Sequence, residues 1–479
     1  MITNTNPRIV GFLPQLRDAL VEAGYSEGGI RDRLALPAAS PLPPVGHAPS
    51  IVRLALGAQD TLGTLIRLLL LGRPTDVDDV GQLATPLIDM LTSTGLAGGA
   101  GGSLRPMVRV TPFHELLVAG DLHNEDSADV ASDAVENPHG PTEVLARLIP
   151  RAAVHRSLDI GTGSGTHALQ LASHSQAVLG LDISPRAVAF ARFNAALNGI
   201  TNARFQVADV VSGLDNEEPF ELIVSNPPYL VSPETSITYR DGQPGSAHVG
   251  TRVLIEAPAL LAPDGLLVCL TSWGAADPHD PVREIMDLAR QAGCNGLVLL
   301  YALRTQVDDA IRWNVHRGDA DQIQQTAARW LDHYGQHAIG DLAYGIVVFS
   351  LARGRQPWFR SERVTLAGQA FDRSQLRDVM SALEQTHRGH TPQGLRPHPD
   401  HEIESTGKIA DGKIVLRDQF LCSTRGIRFA ANCGPQLLQA ITTKTVAPYP
   451  GPGADVMADM VRRLYEFGLI VGDGGSDGR

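Results

Sequence analysis

The sequence predicts an α/β fold: a doubly wound, seven-stranded sheet in the middle of the chain, preceded by a mainly helical, winged-helix-like module and followed by a smaller α+β module. Three observations carry this reading. Short apolar runs alternate with helix-length segments from about Pro141 to Ala352. The first run leads into a glycine-rich turn, Gly161-Thr162-Gly163-Ser164-Gly165, and a following helix. Three successive runs deliver an acid, Asp159, Asp182 and Asp209, toward one edge of the sheet, where open α/β folds hold their ligands.

Within the central region, Ser157-Leu158-Asp159-Ile160 reads as a buried strand, with a helix from Thr166 to about Ser173. The strand Ala177–Asp182 follows, then a helix Pro185–Asn198 opened by Ser184 as N-cap and by proline at its first position. Ala203–Ala208 and Phe220–Ser225 are the next strands. A helix is expected over Ser246–Leu261, a strand over Gly265–Trp273, a helix over Pro281–Ala292, and strands over Gly296–Arg304 and Ala343–Leu351. The last two strands are separated by more chain than a hairpin needs, with a helical run at about Asp319 to Tyr334 that reads as a lid or a surface helix.

Composition divides the rest of the 479 residues. Short helices at Leu16–Ala23, Ile30–Leu36, Asp60–Leu71 and Val77–Thr94, with a hairpin from Met107–Val110 to Leu116–Val118, make an N-terminal module over residues 1–120. His123–Gly140 is acidic and poor in large apolar residues, so 121–141 reads as a linker before the domain at 142–353. A helix at Arg373–Thr386, several strands and the amphipathic run Asp455–Phe467 form the C-terminal module, 358–479.

The residues that carry chemistry are Asn226, Pro227, Pro228 and Tyr229, directly after an apolar strand. An exocyclic or carboxamide NH2 is a poor nucleophile because its lone pair is delocalised. Two acceptors facing its N–H bonds, the Asn226 side-chain oxygen and the Pro227 carbonyl, pull the nitrogen toward tetrahedral geometry. Tandem prolines hold the loop rigid, and Tyr229 offers a flat face for stacking. The glycine turn has the spacing G-x-G-x-G, not the G-x-G-x-x-G dinucleotide fingerprint, and no G-K-[ST] follows, which disfavours a triphosphate.

In this order and spacing the glycine turn, Asp182, Asp209 and Asn226–Tyr229 resemble the class I S-adenosylmethionine-dependent methyltransferases, Rossmann-like in fold, of the branch with an Asn-Pro-Pro-Tyr loop. The resemblance implies S-adenosyl-L-methionine as cofactor, with Asp159, Gly161, Thr162, Gly163 and Gly165 around its methionine part, Asp182 and Ile183 at the ribose, and Asp209 and Val210 at the adenine. It also implies Asn226, Pro227, Pro228 and Tyr229 as the catalytic loop. Two groups share this loop, the N6-adenine enzymes of nucleic acids and the glutamine N5-methyltransferases of release factors; Tyr229 makes a guanine N2 enzyme less expected. The glutamine enzymes normally end at the last sheet strand, whereas this chain continues well past Leu351. A nucleic acid, RNA first, is therefore the leading expectation for the substrate, with a protein glutamine as the alternative and a non-catalytic cofactor-binding scaffold as a third reading.

Charge gives that expectation no global support. The formal net charge is −12, so any nucleic-acid contact has to be local. Arg353, Arg355, Arg360 and Arg363, interleaved with Trp358 and Phe359, are the candidate patch for stacking on bases and pairing phosphates. His387, His390, His398 and His401 lack metal-site spacing, and no metal is expected. Four cysteines without paired spacing, and no long apolar stretch, point to a cytoplasmic protein without a membrane segment.

Overall fold

The computed structural model describes residues 7–36, 42, 60–75, 81–100, 102–122, 131–234, 249–315, 320–364, 375–389, 396–397, 401–410, 413–423, 430–432, 454–467 and 469–471. They fall into two compact units, one of residues 1–146 and 153–359, the other of 147–152 and 360–479.

The first unit is organised by a sheet of buried apolar strands. After the four strands of the N-terminal hairpins, β1 (Ala97–Ala100), β2 (Ser103–Pro106), β3 (Arg109–Phe113) and β4 (Leu116–Gly120), the strands β5 (Val154–Ile160), β6 (Ser175–Asp182), β7 (Ala203–Val207), β8 (Phe220–Ser225) and β9 (Leu261–Ala275) are parallel, and β11 (Asp341–Leu351) runs antiparallel between β9 and β10 (Cys294–Arg304). The spatial order within the unit is β10-β11-β9-β8-β5-β6-β7, the seven strands expected. The chain runs from β5 outward to β7 and then returns to the other side of β5 with β8. The sheet therefore has its topological switch point between β5 and β8, where the loops leaving the two strands diverge and open a crevice. Ile160 pairs with Ser225 across that boundary, and the Ser225 hydroxyl donates to the Ile160 carbonyl at 2.8 Å. The next residues on each strand, Gly161 and Asn226, both face the crevice.

The N-terminal residues contribute helices Pro7–Glu22, Glu27–Arg33, Thr61–Leu65 and Thr85–Ser93, and two hairpins, Ala97–Ala100 with Ser103–Pro106 and Arg109–Phe113 with Leu116–Gly120. Their aliphatic side chains form one core with Ala187, Phe190, Phe193 and Leu197 on the helix Pro185–Leu197. Two asparagines of that helix tie the second hairpin down. Asn194 accepts from the Ala119 N–H and donates to the carbonyls of Ala119 and Ser164, and Asn198 exchanges the same pair of bonds with Leu117. Within the stretch read as solvated linker, Ala134, Val135 and Asn137 are buried, and Val135 donates to the Asp121 carboxylate at 2.8 Å, while residues 131–133 and 139–140 are exposed.

Between β10 and β11 lie two helices, Gln306–Asn314 and Ala320–Gln336, of which the sequence had suggested only the second. The expected helix from Ser246 is seen as Val249–Glu256 with a 3-10 turn over Ala257–Leu260; 246–248 lie outside the described residues. No described helix is long and apolar enough to cross a membrane.

The second unit pairs helices Gln375–His387 and Ala454–Glu466, linked by Thr386 donating to Glu466 at 2.8 Å, and includes a long hairpin, His401–Ala410 with Lys413–Ser423. His390 and His398 lie outside the described residues.

Part of the proposed aromatic and arginine patch is committed elsewhere, although Arg355 and Arg363 are exposed. Trp358 is buried, and Phe359 packs into the sheet core under the Arg290 guanidinium. Arg353 is held by Asp264, and Arg360 by Glu362 and Glu466. Edge packing and ion pairs thus use both aromatic rings and two of the four arginines.

Candidate active site

A cavity of about 790 Å³ opens at the switch point, lined by the loops that leave β5, β6, β7 and β8. Its floor is the glycine turn. Gly161, Gly163 and Gly165 have φ of +73°, +53° and +86°, the left-handed region where a side chain is strained. Gly165 also has no room: an added Cβ would lie 3.0 Å from the Cα and Cβ of Ala191. At Gly161 the backbone of Pro227 is close, with the Cα 3.6 Å from where a Cβ would stand, so the turn and the catalytic loop adjoin.

Asp159 is fully buried beneath this turn. One oxygen, Oδ2, accepts from the Thr162 hydroxyl at 2.6 Å and the Ala168 N–H at 3.0 Å; the other, Oδ1, has no partner among the described residues. Burial pushes its carboxyl up to about 7 against the opposing pull of those two bonds. Asp182 is the last residue of β6. Its Oδ2 accepts from the Gly163 N–H at 2.8 Å and its Oδ1 from the Ser184 N–H at 2.9 Å, and burial holds it above the usual carboxylate range. A carboxylate has roughly four acceptor positions, so each oxygen retains capacity for a ligand hydroxyl. Ile183 and Thr162 line the same cavity.

Asp209 reaches the cavity beyond the end of β7, but not as a free acid: its Oδ1 accepts from Arg252 at 2.8 Å, and Arg252 also pairs with Glu256. Arg252 lies on the helix Val249–Glu256 and was not singled out from sequence, because residues so distant in the chain meet only through the crossover. Val210 beside it has φ +52°, rare for a β-branched residue, and its side chain is buried.

Adjoining the turn stands the Asn-Pro-Pro-Tyr loop. The Asn226 Oδ1 atom is buried with no hydrogen-bond partner among the described residues, an acceptor held ready and unused. The Tyr229 carbonyl is fixed by the Ser272 hydroxyl. Burial raises the Tyr229 phenol well above its ordinary range, so it stays a neutral hydroxyl, packed with Trp313 and Tyr301 around Leu230 and Tyr344.

The rim includes the helix Gln306–Asn314, through Asp308, Ile311, Arg312, Trp313 and Val315 at its end. It is anchored by Asp309, which is buried and accepts from the hydroxyls of Tyr334 at 3.0 Å and Tyr344 at 2.5 Å, while Trp313 donates to the Tyr344 oxygen at 3.0 Å. The signal that locates this helix is Thr305 with Asp308: the threonine side chain caps the Asp308 N–H.

The cavity accommodates a cationic, nucleoside-bearing ligand. Five carboxylates line it against two arginines, one of them already paired with Asp209. The orphaned Asp159 oxygen suits an ammonium group, and the positive-φ glycines let a ligand approach the backbone closely.

Residues 154–319 match a family model described as a methyltransferase domain. Among curated proteins, the chain is 38% identical over 148 residues to the release factor glutamine methyltransferase of Deinococcus radiodurans, covering 27% of this chain and 52% of that protein. It is 36% identical over 165 residues to the Xylella fastidiosa protein of the same name, covering 31% and 60%. The ribosomal protein uL3 glutamine methyltransferase of Xanthomonas campestris is 35% identical over 139 residues, covering 26% and 44%. The chain thus spans about half the length of these relatives.

Proposed function

We propose that this chain, whose residues 154–319 are a class I S-adenosylmethionine-dependent methyltransferase domain, methylates the side-chain amide nitrogen of a glutamine in a protein. The observation that carries the reading is the buried, unpartnered Oδ1 of Asn226, a residue that lines the cavity beside the glycine turn. Bound S-adenosylmethionine supplies an electrophilic methyl group on a sulfonium. Asp159, the glycine turn, Asp182 and Asp209 hold that group, and Asn226 together with the Pro227 carbonyl receives the two N–H bonds of the acceptor. Both acceptors are preset by the proline pair, so little reorganisation is needed as the nitrogen lone pair localises. Tyr229, neutral and wedged in its aromatic cluster, supports the plane of the amide.

Two observations support a protein over a nucleic acid, the substrate placed first on sequence grounds. The named relatives are glutamine methyltransferases of a release factor and a ribosomal protein. A phosphodiester strand entering this cavity also meets lining of its own sign, because carboxylates outnumber arginines five to two there. The test is incubation of the full chain with tritiated S-adenosylmethionine and a ribosome-containing extract, followed by protease or RNase. Label released by protease, and recovered as N5-methylglutamine on hydrolysis to amino acids, is expected; label released only by RNase refutes the reading.

A further inference from the structure

We infer that the outward face of the helix Gln306–Asn314 is the docking surface for the substrate polypeptide on either side of its acceptor glutamine. This inference rests on the protein-substrate reading above.

The helix is built with its usual polarity inverted. Its buried positions are Asp309, Ala310 and Asn314, at 1%, 1% and 0% exposure, whereas Val307, Ile311 and Val315 are 52%, 49% and 45% exposed. These three lie four residues apart, so they form one stripe along one side. A solitary surface aliphatic needs no explanation, but a stripe of three on a helix that buries Asp309 and Asn314 beside Ala310 does. The inner face has been committed to the bonds of Asp309 with Tyr334 and Tyr344, which lock the helix against the sheet and so fix the stripe in space.

The stripe is continuous with the cavity. Ile311 and Val315 line its rim while remaining half exposed, so a polypeptide that delivers a side chain to Asn226 passes over them. The charge around them defines that polypeptide. Asp133 and Asp308 are exposed lining residues, and Arg312 is the exposed basic residue among the lining. The occupant that fits is an extended segment with an aliphatic side chain next to the glutamine and basic, not acidic, residues flanking it. An acidic segment or a phosphodiester meets the carboxylates unpaired.

The experiment uses the full chain with Ile311→Ser and Val315→Ser combined, and Val21→Ser, an exposed aliphatic on the first helix, as control. Methyl transfer is followed with tritiated S-adenosylmethionine across a dilution series of the extract, and S-adenosylhomocysteine affinity is measured by calorimetry. The double variant is expected to need about tenfold more extract for half-maximal protein labelling, equivalent to about 1.4 kcal/mol. Its plateau rate and S-adenosylhomocysteine affinity should stay within twofold of the parent, and the control should match the parent throughout. Protein labelling by the parent with an unshifted half-maximum in the double variant overturns the docking surface and leaves the proposed function standing. Loss of S-adenosylhomocysteine affinity with an unchanged melting transition assigns the stripe to the cofactor and also overturns it. Label confined to RNA, or no label from the parent, fails the proposed function first and the inference with it.

Discussion

Replacing Asn226 with alanine separates catalysis from stability. In the folded protein the Asn226 Oδ1 atom is buried and accepts nothing from the described residues. An unsatisfied buried acceptor costs about 1–3 kcal/mol. Alanine removes that cost and forfeits only the packing of a small polar group. Because the following residue is Pro227, position 226 stays in the extended region whichever side chain it carries. The expected net effect on folding is therefore between neutral and about 1 kcal/mol stabilising, read as a thermal midpoint that does not fall. Turnover should drop about a hundredfold, near 2.7 kcal/mol of transition-state stabilisation, the amount typical for one preorganised hydrogen-bonding partner. Calorimetric titration with S-adenosylhomocysteine should leave affinity nearly unchanged, since the asparagine faces the acceptor. If the midpoint and the rate decline together, the side chain serves the fold. Retained rate with intact binding refutes the lone-pair argument outright.

Three further outcomes follow from the same geometry. Asp159 keeps its proton to about pH 7 in the folded chain but releases it near 4 when unfolded. The folded state therefore binds more protons across that interval, and stability should decline as pH rises from about 4 to about 7 and level off above. Asp159→Asn should flatten this in a pH series of denaturant midpoints, and should abolish the tightening of S-adenosylhomocysteine binding expected in the parent between pH 6 and 8. Gly165→Ala combines a φ of +86° with a Cβ 3.0 Å from Ala191, so it should destabilise by about 2–4 kcal/mol; Gly163→Ala, with nothing within 4 Å, should cost only the backbone strain of about 1 kcal/mol, and equal midpoints for the two would refute the packing argument. Arg252→Ala should shift the thermal midpoint little, because Asp209 is half exposed and their pair is screened, while weakening S-adenosylhomocysteine about threefold; tighter binding on calorimetry would mean that Arg252 competes with the ligand.

The parts of this molecule that sequence discloses are those where local chemistry and tertiary environment agree. Leu158-Asp159-Ile160 and Leu222-Ile223-Val224 lie in strands buried on both faces, so apolar runs mark them, and Ser184 and Pro185 announce the following helix because capping is a local event. The glycine turn and the Asn-Pro-Pro-Tyr loop were legible for the same reason, since each motif's backbone demands are written in its own residues. The helix Gln306–Asn314 was missed because its aliphatics face outward and its buried side has Asp309 and Asn314, the reverse of the pattern that periodicity detects. Pairings across the fold were also invisible. Arg353 looked available until Asp264 was found beside it, and Asp209 looked free until the crossover brought Arg252 to it. The segment at 131–140 was read as wholly solvated, whereas its middle is packed and Asn137 is satisfied internally by Asp121; only its two ends are exposed.

The two asparagines on the helix Pro185–Leu197 and at its end have a consequence for how such a molecule can change. A carboxamide carries the same donor and acceptor as a peptide group, so Asn194 and Asn198 offer the hairpin strand Leu116–Gly120 what a neighbouring strand would. A β-edge has been satisfied by a helix, and the anchoring is written in two side chains instead of in a long stretch of backbone. Asn194 also grips the Ser164 carbonyl of the glycine turn, so the leading portion of the polypeptide and the floor of the pocket share one amide. Exchanging that leading portion for another by recombination is therefore not a neutral graft: a newcomer unable to seat an edge against those two amides would leave them dangling, and the first place to feel the slack would be the turn itself.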